Sequence, residues 1–422
     1  MPCDRAGERP GYLCVSGVRL LLMLERARVL LHLMETARAK ADLEQAAALA
    51  EELADLDAQG KALLEWAEIL VHQAQYVEAM ARVRRAMQCF EALGDRRRMV
   101  RAWKLQSRIH AALGQPAAAV RCAQRAGGSP YGRYLGAIYF RSAGEALDAA
   151  GAHSDRRQVG ISDWSVTIEE PAWLAQAAVY RGEWGRALRL ARDGIAAAWA
   201  LGTPLDVADA KWVLALALAC LGAYEEAEGH LDEAMAAYLE AGWKRGQVSG
   251  LWLKGQIGWG LGREGDAAAS FEQAWRYGQE THTLQAIVRA EVGLGRLAAV
   301  RGQWSRAERW CVEARARARQ SSLGVAWVEA QVGVAHVYLE GERWELARVQ
   351  AAQAREASCG LRFPALELDS TRLLGRAWEG LGERGRARSC RREADDLARQ
   401  LAEELPPEYA RQFGRRAELE RR

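Results

Sequence analysis

Ala187 returns as Ala227, Ala267, Ala307, Ala347 and Ala387, a spacing of 40 residues that never drifts. Five residues before each alanine stand Gly182, Gly222, Gly262, Gly302 and Gly382, with Glu342 breaking the series. An aromatic lies three residues before it in Trp184, Tyr224, Trp304 and Trp344. A fixed period of this length means a stack of like units, each too small to bury its apolar face alone. It argues against a globular fold around one pocket, and it overrides the two or three domains that 422 residues would otherwise suggest.

Within one unit the pattern is helical from Ala172 to Arg181, and Gly182 stops it. A second helix starts near Trp184 and carries Ala187, Leu190, Ala191 and Ile195 at the spacing of a buried stripe. Gly202, Thr203 and Pro204 then break it. The unit reads as helix A, tight turn, helix B and a longer connection. Small residues recur twelve before the turn alanine (Ala175, Ala215, Gly255, Gly295, Ala335, Gly375) and seven after it (Gly194, Ala234, Ala274, Ala314, Ala354, Ala394). Helix axes approach to about 8 Å only across small side chains. Three small positions per unit therefore mark where A meets B and where B meets the next A.

The same register runs backwards through Ala39, Ala79 and Ala119, with Ala27, Ala67 and Ser107 before them and Ala46, Ala86 and Ala126 after. The chain thus divides into a loose N-terminal tail (1–17), three repeats (18–126), a degenerate repeat with a long loop (127–170), six repeats (171–402) and a C-terminal helical tail (403–422). The expected fold is all-α, a right-handed α-solenoid of antiparallel helix pairs.

Small residue, twelve-residue gap, alanine, seven-residue gap, alanine, with glycine and an aromatic in the turn, resembles the tetratricopeptide repeat. The 40-residue form is similar to the helical repeats of maltose-activator-type bacterial regulators and related signalling ATPases. Connections such as Ala92-Leu-Gly-Asp-Arg96 and the ending Leu401-Ala-Glu-Glu-Leu-Pro-Pro-Glu-Tyr-Ala410 fit that group. The resemblance implies a superhelix that holds a partner on its concave side. It implies a protein-interaction scaffold in bacterial signalling or transcription regulation. The alternative is an effector-sensing module that binds a small molecule, as a fragment of a larger ATP-dependent regulator.

Composition narrows the function further. Net charge is +3 with 27% charged residues, a mixed surface with no bulk attraction for nucleic acid or membrane. The eight cysteines include no Cys-x-x-Cys pair, so neither a zinc site nor a disulfide framework is indicated, and a reducing cytoplasm is the natural setting. No apolar run approaches the roughly 18 residues of a membrane span. Phosphate-loop, His-Glu-x-x-His and Gly-x-Ser-x-Gly motifs are absent. The glycines of Gly255–Gly262 fall in register as a helix contact and a turn, with no strand before them. His153, Ser154 and Asp155 are sequence neighbours whose side chains diverge, where a triad needs convergence. No catalytic, cofactor or metal residues are expected.

A partner-binding face is therefore sought on helix A. One residue after the small position runs a ladder of Gln176, Leu216, Gln256, Arg296, His336 and Arg376. Three before it runs Ala172, Trp212, Trp252, Val292, Val332 and Arg372, with Trp259 on the same surface. The candidate concave-face residues are Trp212, Trp252, Gln256, Trp259, Arg289, Arg296, His336, Arg372 and Arg376. Aromatic anchors beside arginines are the composition of an interaction hot spot, and arginine forks suit the carboxylates of an acidic peptide or protein. Against that, Glu329, Asp369 and Glu379 lie close enough in register to neutralise the arginines, and Trp212 and Trp252 also suit inter-helix packing.

Overall fold

Most of the described helix ends carry a residue in the left-handed region. Gly182, Gly202, Gly222, Gly242, Gly262, Gly302 and Gly382 all have φ between 62° and 83°. At each, the amide of the following residue reaches back to the last helical turn, as in Glu183 N to Ala178 O at 2.9 Å and Thr203 N to Ala198 O at 3.1 Å. This is the Schellman geometry, and glycine adopts it without strain. His282 and Glu342 hold the same geometry at φ 52° and 55° with a side chain attached.

The computed structural model describes residues 10–32, 35–73, 75–112, 178–320, 324–361 and 363–419, with single positions in 118–126 and 172–176. The 127–170 segment assigned above to a degenerate repeat and loop lies outside these residues, as does Ala119. Seventeen helices are described, paired antiparallel in chain order. The first array holds α1 (Pro10–His32), α2 (Thr36–Glu52), α3 (Leu56–His72), α4 (Tyr76–Ala92) and α5 (Arg96–Ala112). The second begins with helical residues 178–180 and continues through α6 (Trp184–Leu201), α7 (Pro204–Leu221), α8 (Tyr224–Glu240), α9 (Lys244–Gly260), α10 (Glu264–Thr281) and α11 (Leu284–Val300). It ends with α12 (Trp304–Gln320), α13 (Gly324–Glu340), α14 (Trp344–Leu361), α15 (Pro364–Gly380), α16 (Arg384–Ala402) and α17 (Pro407–Leu419).

Two expectations need correction. α1 starts at Pro10, inside the stretch read as a tail, because proline is pre-set for a first helical turn. The connection after helix B is as short as the turn before it. α6 ends at Leu201 and α7 starts at Pro204, so Pro204 opens a helix and does not extend a loop. The extra length of the 40-residue unit is shared by both helices, each about 17 or 18 residues long.

The alanine ladder is the packing seam. Ala39, Ala79, Ala187, Ala227, Ala267, Ala307 and Ala347 are fully buried. So are Ala27, Ala67, Ser107, Ala175, Ala215 and Ala335 at the helix A position. A Cβ on Gly255 would sit 2.5 Å from the Phe271 ring, which fills the space the glycine leaves. The turn aromatics are staples between units, since Tyr224 lies against Gly260, Trp304 against Gly341 and Trp344 against Gly380.

The second array also closes on itself. α17 folds back so that Phe413 packs on Trp184 at 4.8 Å between ring centres. Arg192 Nη2 donates to Tyr409 Oη at 3.0 Å, and Tyr409 donates to Glu226 at 3.0 Å. Leu401 lies where a Cβ on Gly182 would be. The first array meets the second where Thr36 Oγ1 donates to Ala241 O at 3.0 Å.

Candidate functional site

At that meeting of the arrays lies a cavity of about 350 Å³. Its walls come from the N-terminal halves of α7, α9 and α11 on one side and from α3, with Leu31, Thr36 and Arg108, on the other. Trp212 on α7 and Trp252 on α9 stand in the same position of successive units and both line it, together with Arg289 on α11 and Gln176. Among the described residues neither indole N–H has an acceptor. Trp212 is buried and Trp252 half-buried.

The lining is mixed in charge. Glu65, Glu68, Asp206 and Asp209 line it together with Arg108, Arg245 and Arg289. Burial pushes the Glu65 carboxyl above its ordinary pKa against the pull of Arg101, and its Oε2 has no hydrogen-bond partner among the described residues. Glu68 accepts both forks of Arg101 at 3.0–3.1 Å, and Asp209 accepts from Tyr238 Oη at 2.6 Å. Asp206, in the first turn of α7, also lines it, where the helix N-terminus favours a carboxylate.

Arg289 forms the floor. Its side chain is only 7% exposed and lies between rings, 4.6 Å from Trp252 and 5.5 Å from Tyr180. It donates to both Glu329 oxygens at 2.7 and 2.8 Å and to Tyr180 Oη at 2.8 Å. Burial works against its charge, but Glu329 and Tyr180 outweigh that and hold its pKa above the ordinary arginine value. Tyr180 packs edge-on to Phe363 as well. Tyr180, Trp252 and Glu329, from three other units, thus converge on one guanidinium.

The sequence-derived residues therefore fall into two groups. Trp212, Trp252 and Arg289 share the junction cavity. Arg289 does not offer a free fork to a ligand carboxylate, because Glu329, forty residues on, already takes it. Trp259, Arg296, His336, Arg372 and Arg376 lie apart from that cavity, and Arg296 sits 5.2 Å above the Trp259 ring. Gln256, partly exposed on α9, does not line that cavity. Arg372 is partly exposed on α15 and engaged with neighbours. Glu379, another of the acids expected to neutralise an arginine, pairs with Arg391. Tyr180, Glu65 and Asp209 were not singled out in the sequence. The position of Asp209 recurs as Ser249, Arg289, Glu329 and Asp369, a register position rich in charge.

Among the described residues no group of three His, Cys, Asp or Glu side chains is placed to hold a metal ion, and no helix is long and apolar enough to cross a membrane.

Two solved structures share this architecture. A Rap protein complexed with competence and sporulation factor aligns at a TM-score of 0.53 and 12% identity, over 92% of this chain and 99% of that one. NprR in complex with its cognate peptide NprX aligns at 0.50 and 13% identity, over 83% of this chain and 93% of that one. A signal transduction ATPase with a tetratricopeptide repeat sensor from Pyrococcus horikoshii aligns at only 0.43 and 12% identity, over 83% of this chain and 52% of that one, too low to argue from. No family model matches the chain, and no curated protein matches its sequence. The likeness is one of fold: an all-α solenoid of helix pairs.

Proposed function

We propose that this chain is a non-enzymatic helical-repeat scaffold that binds a peptide or an extended protein segment, within a bacterial signalling or transcription-regulatory system. The junction cavity supports this reading most. It places two tryptophans with unmatched N–H groups beside carboxylates and guanidiniums, in a cleft that two repeat arrays form together. Buried indoles are strong anchors, and their free N–H groups suit peptide carbonyls. The Rap protein and NprR structures of the same fold were solved with a factor and a peptide bound. The mixed lining fits a peptide of mixed charge better than a wholly acidic one.

The second reading is a small effector in the same cavity. A volume of about 350 Å³ lies within the roughly 300–1,000 Å³ of small-ligand sites. On this reading the chain is the sensing portion of a larger ATP-dependent regulator of the maltose-activator type, and its setting is the cytoplasm.

A random-peptide display against the full chain tests the first reading. Enriched peptides should bind with dissociation constants below about 100 µM and weaken about tenfold or more in Trp252→Ala. Trp212→Phe, which keeps the packing and removes the N–H, should weaken them less. Failure to enrich any peptide, or binding indifferent to both variants, contradicts it. A thermal-shift response to metabolites that Trp252→Ala abolishes favours the second reading.

A further inference from the structure

Glu65 stands on α3, in the wall that the first array gives to the junction cavity. Its Oε2 is buried and accepts no hydrogen bond among the described residues. The two arginines that pull on it are engaged elsewhere. Arg101 on α5 donates to both Glu68 oxygens at 3.0 and 3.1 Å, and Arg28 on α1 pairs with Glu25 at 3.1 Å. Glu68 and Glu25 oppose the Glu65 charge in their turn. Taking a carboxylate out of water is costly unless a cation or a hydrogen-bond donor replaces that water. A buried carboxylate oxygen in this position calls for a partner that the chain itself does not supply.

The rest of the cavity suits a partner of one kind. Arg289 on the floor is already matched by Glu329 and Tyr180. Asp206 and Asp209 on α7, Arg245 on α9 and Arg108 on α5 share the lining and are each engaged with neighbours. Trp212 and Trp252 add aromatic surface and two indole N–H groups that lack acceptors among the described residues. A protonated amine donates to a carboxylate through short, charge-assisted bonds, and any carbonyl it carries can accept from an indole.

We propose that Glu65 anchors a protonated amine, carried by the ligand that enters the junction cavity. This rests on the reading of that cavity as a ligand site, and it adds the charge of the group selected there. Burial raises the pKa of the Glu65 carboxyl before binding, so a proton competes with the amine for it. Amine binding expels that proton. Affinity should therefore fall as pH drops through the raised value, which lies above the ordinary glutamate value of about 4.3.

The test uses the full chain and phenethylamine, with its uncharged N-acetyl form as control, followed by calorimetry. The amine should saturate below about 10 mM and bind about tenfold or more tighter than the acetyl form. Glu65→Gln keeps the shape and removes the charge. It should erase that preference, while its thermal unfolding stays at or above that of the wild type. Affinity for the amine should fall from pH 7 to pH 5 in the wild type and stay level in Glu65→Gln. Three pools of random hexapeptides then separate the sources of the amine: one with a free amino terminus, one acetylated, and one acetylated with a single lysine, all otherwise without lysine or arginine. Enrichment of the first over the second assigns Glu65 to a peptide amino terminus, and enrichment of the third assigns it to a lysine side chain. A preference for phenethylamine that depends on Glu65, with no pool retained, supports the amine site and ends the peptide reading alone. The proposal is overturned when neither phenethylamine nor a cationic pool is preferred over its acetylated form, or when the preference survives Glu65→Gln. In that event, equal retention of all three pools keeps the peptide reading, and retention of none ends it as well.

Discussion

Leu22 in α1 and Ala290 in α11 hold the same register position, yet Leu22 is 64% exposed and Ala290 fully buried. Val18 repeats the contrast at 54% exposed against buried Ala58, Ala286 and Ala326 in the same slot. In α9 those slots receive the helix B of the preceding unit: Gly246 receives the Tyr238 ring and Gly250 the Met235 side chain. At the far end the second array is sealed, with α17 laid over α6 and Phe413 on Trp184. The comparison teaches that the period fixes where slots occur, while the neighbour that fills a slot fixes its energy. A stack of this kind has nearest-neighbour energetics, so substitutions at one register position should differ by end.

The largest expected effect is Ala307→Arg. It forces a long charged side chain into a fully buried seam and should cost more than about 3 kcal/mol in denaturant unfolding. Leu22→Gln at the bare face should stay within about 0.5 kcal/mol. Equal midpoints for the two would break the comparison. Next is Phe413→Ala, which removes the ring on Trp184 and should cost roughly 3 kcal/mol with faster exchange of α6 amides. Slow α6 exchange in that variant would mean α17 is not a seal.

His336 gives an intermediate, pH-dependent effect. Its folded pKa is depressed, so the unfolded chain binds the proton more readily. Stability should fall as pH drops below about 6.5, the unfolded value, and His336→Gln should flatten that slope. A slope identical in wild type and variant would contradict it. The smallest pair concerns the turns. Glu342→Gly relieves a left-handed residue and should stabilise by about 0.5–1 kcal/mol, while Gly302→Ala should cost a comparable amount. Melting curves of the two variants should move in opposite directions.

The helix pairs and their seam were legible because one side-chain class recurs at one spacing. Ala187 and Ala307 answer to the same local packing. The closure was not legible. Tyr180 and Arg289 are 109 residues apart, and their meeting depends on small rotations summed over several units, which a period does not encode. The cavity depends on how two arrays face each other, so Trp212 and Trp252 could be placed on one surface but not opposite Glu65. Arg289 was read as a recognition residue, although its neutralising partner stood one period away in Glu329. The longer connection was misplaced because Gly202-Thr203-Pro204 signals a break equally well when the next helix starts inside it.

The account turns on the second array being drawn together around Arg289 by residues from distant units. A double-mutant cycle of Tyr180→Phe and Arg289→Met, read by denaturant unfolding, tests this most directly. The 2.8 Å bond across the array predicts a coupling energy of about 1.5–3 kcal/mol, as for a buried hydrogen bond to a charged group. Additivity within about 0.3–0.5 kcal/mol would mean the two side chains do not meet in solution, and the closed array would have to be abandoned.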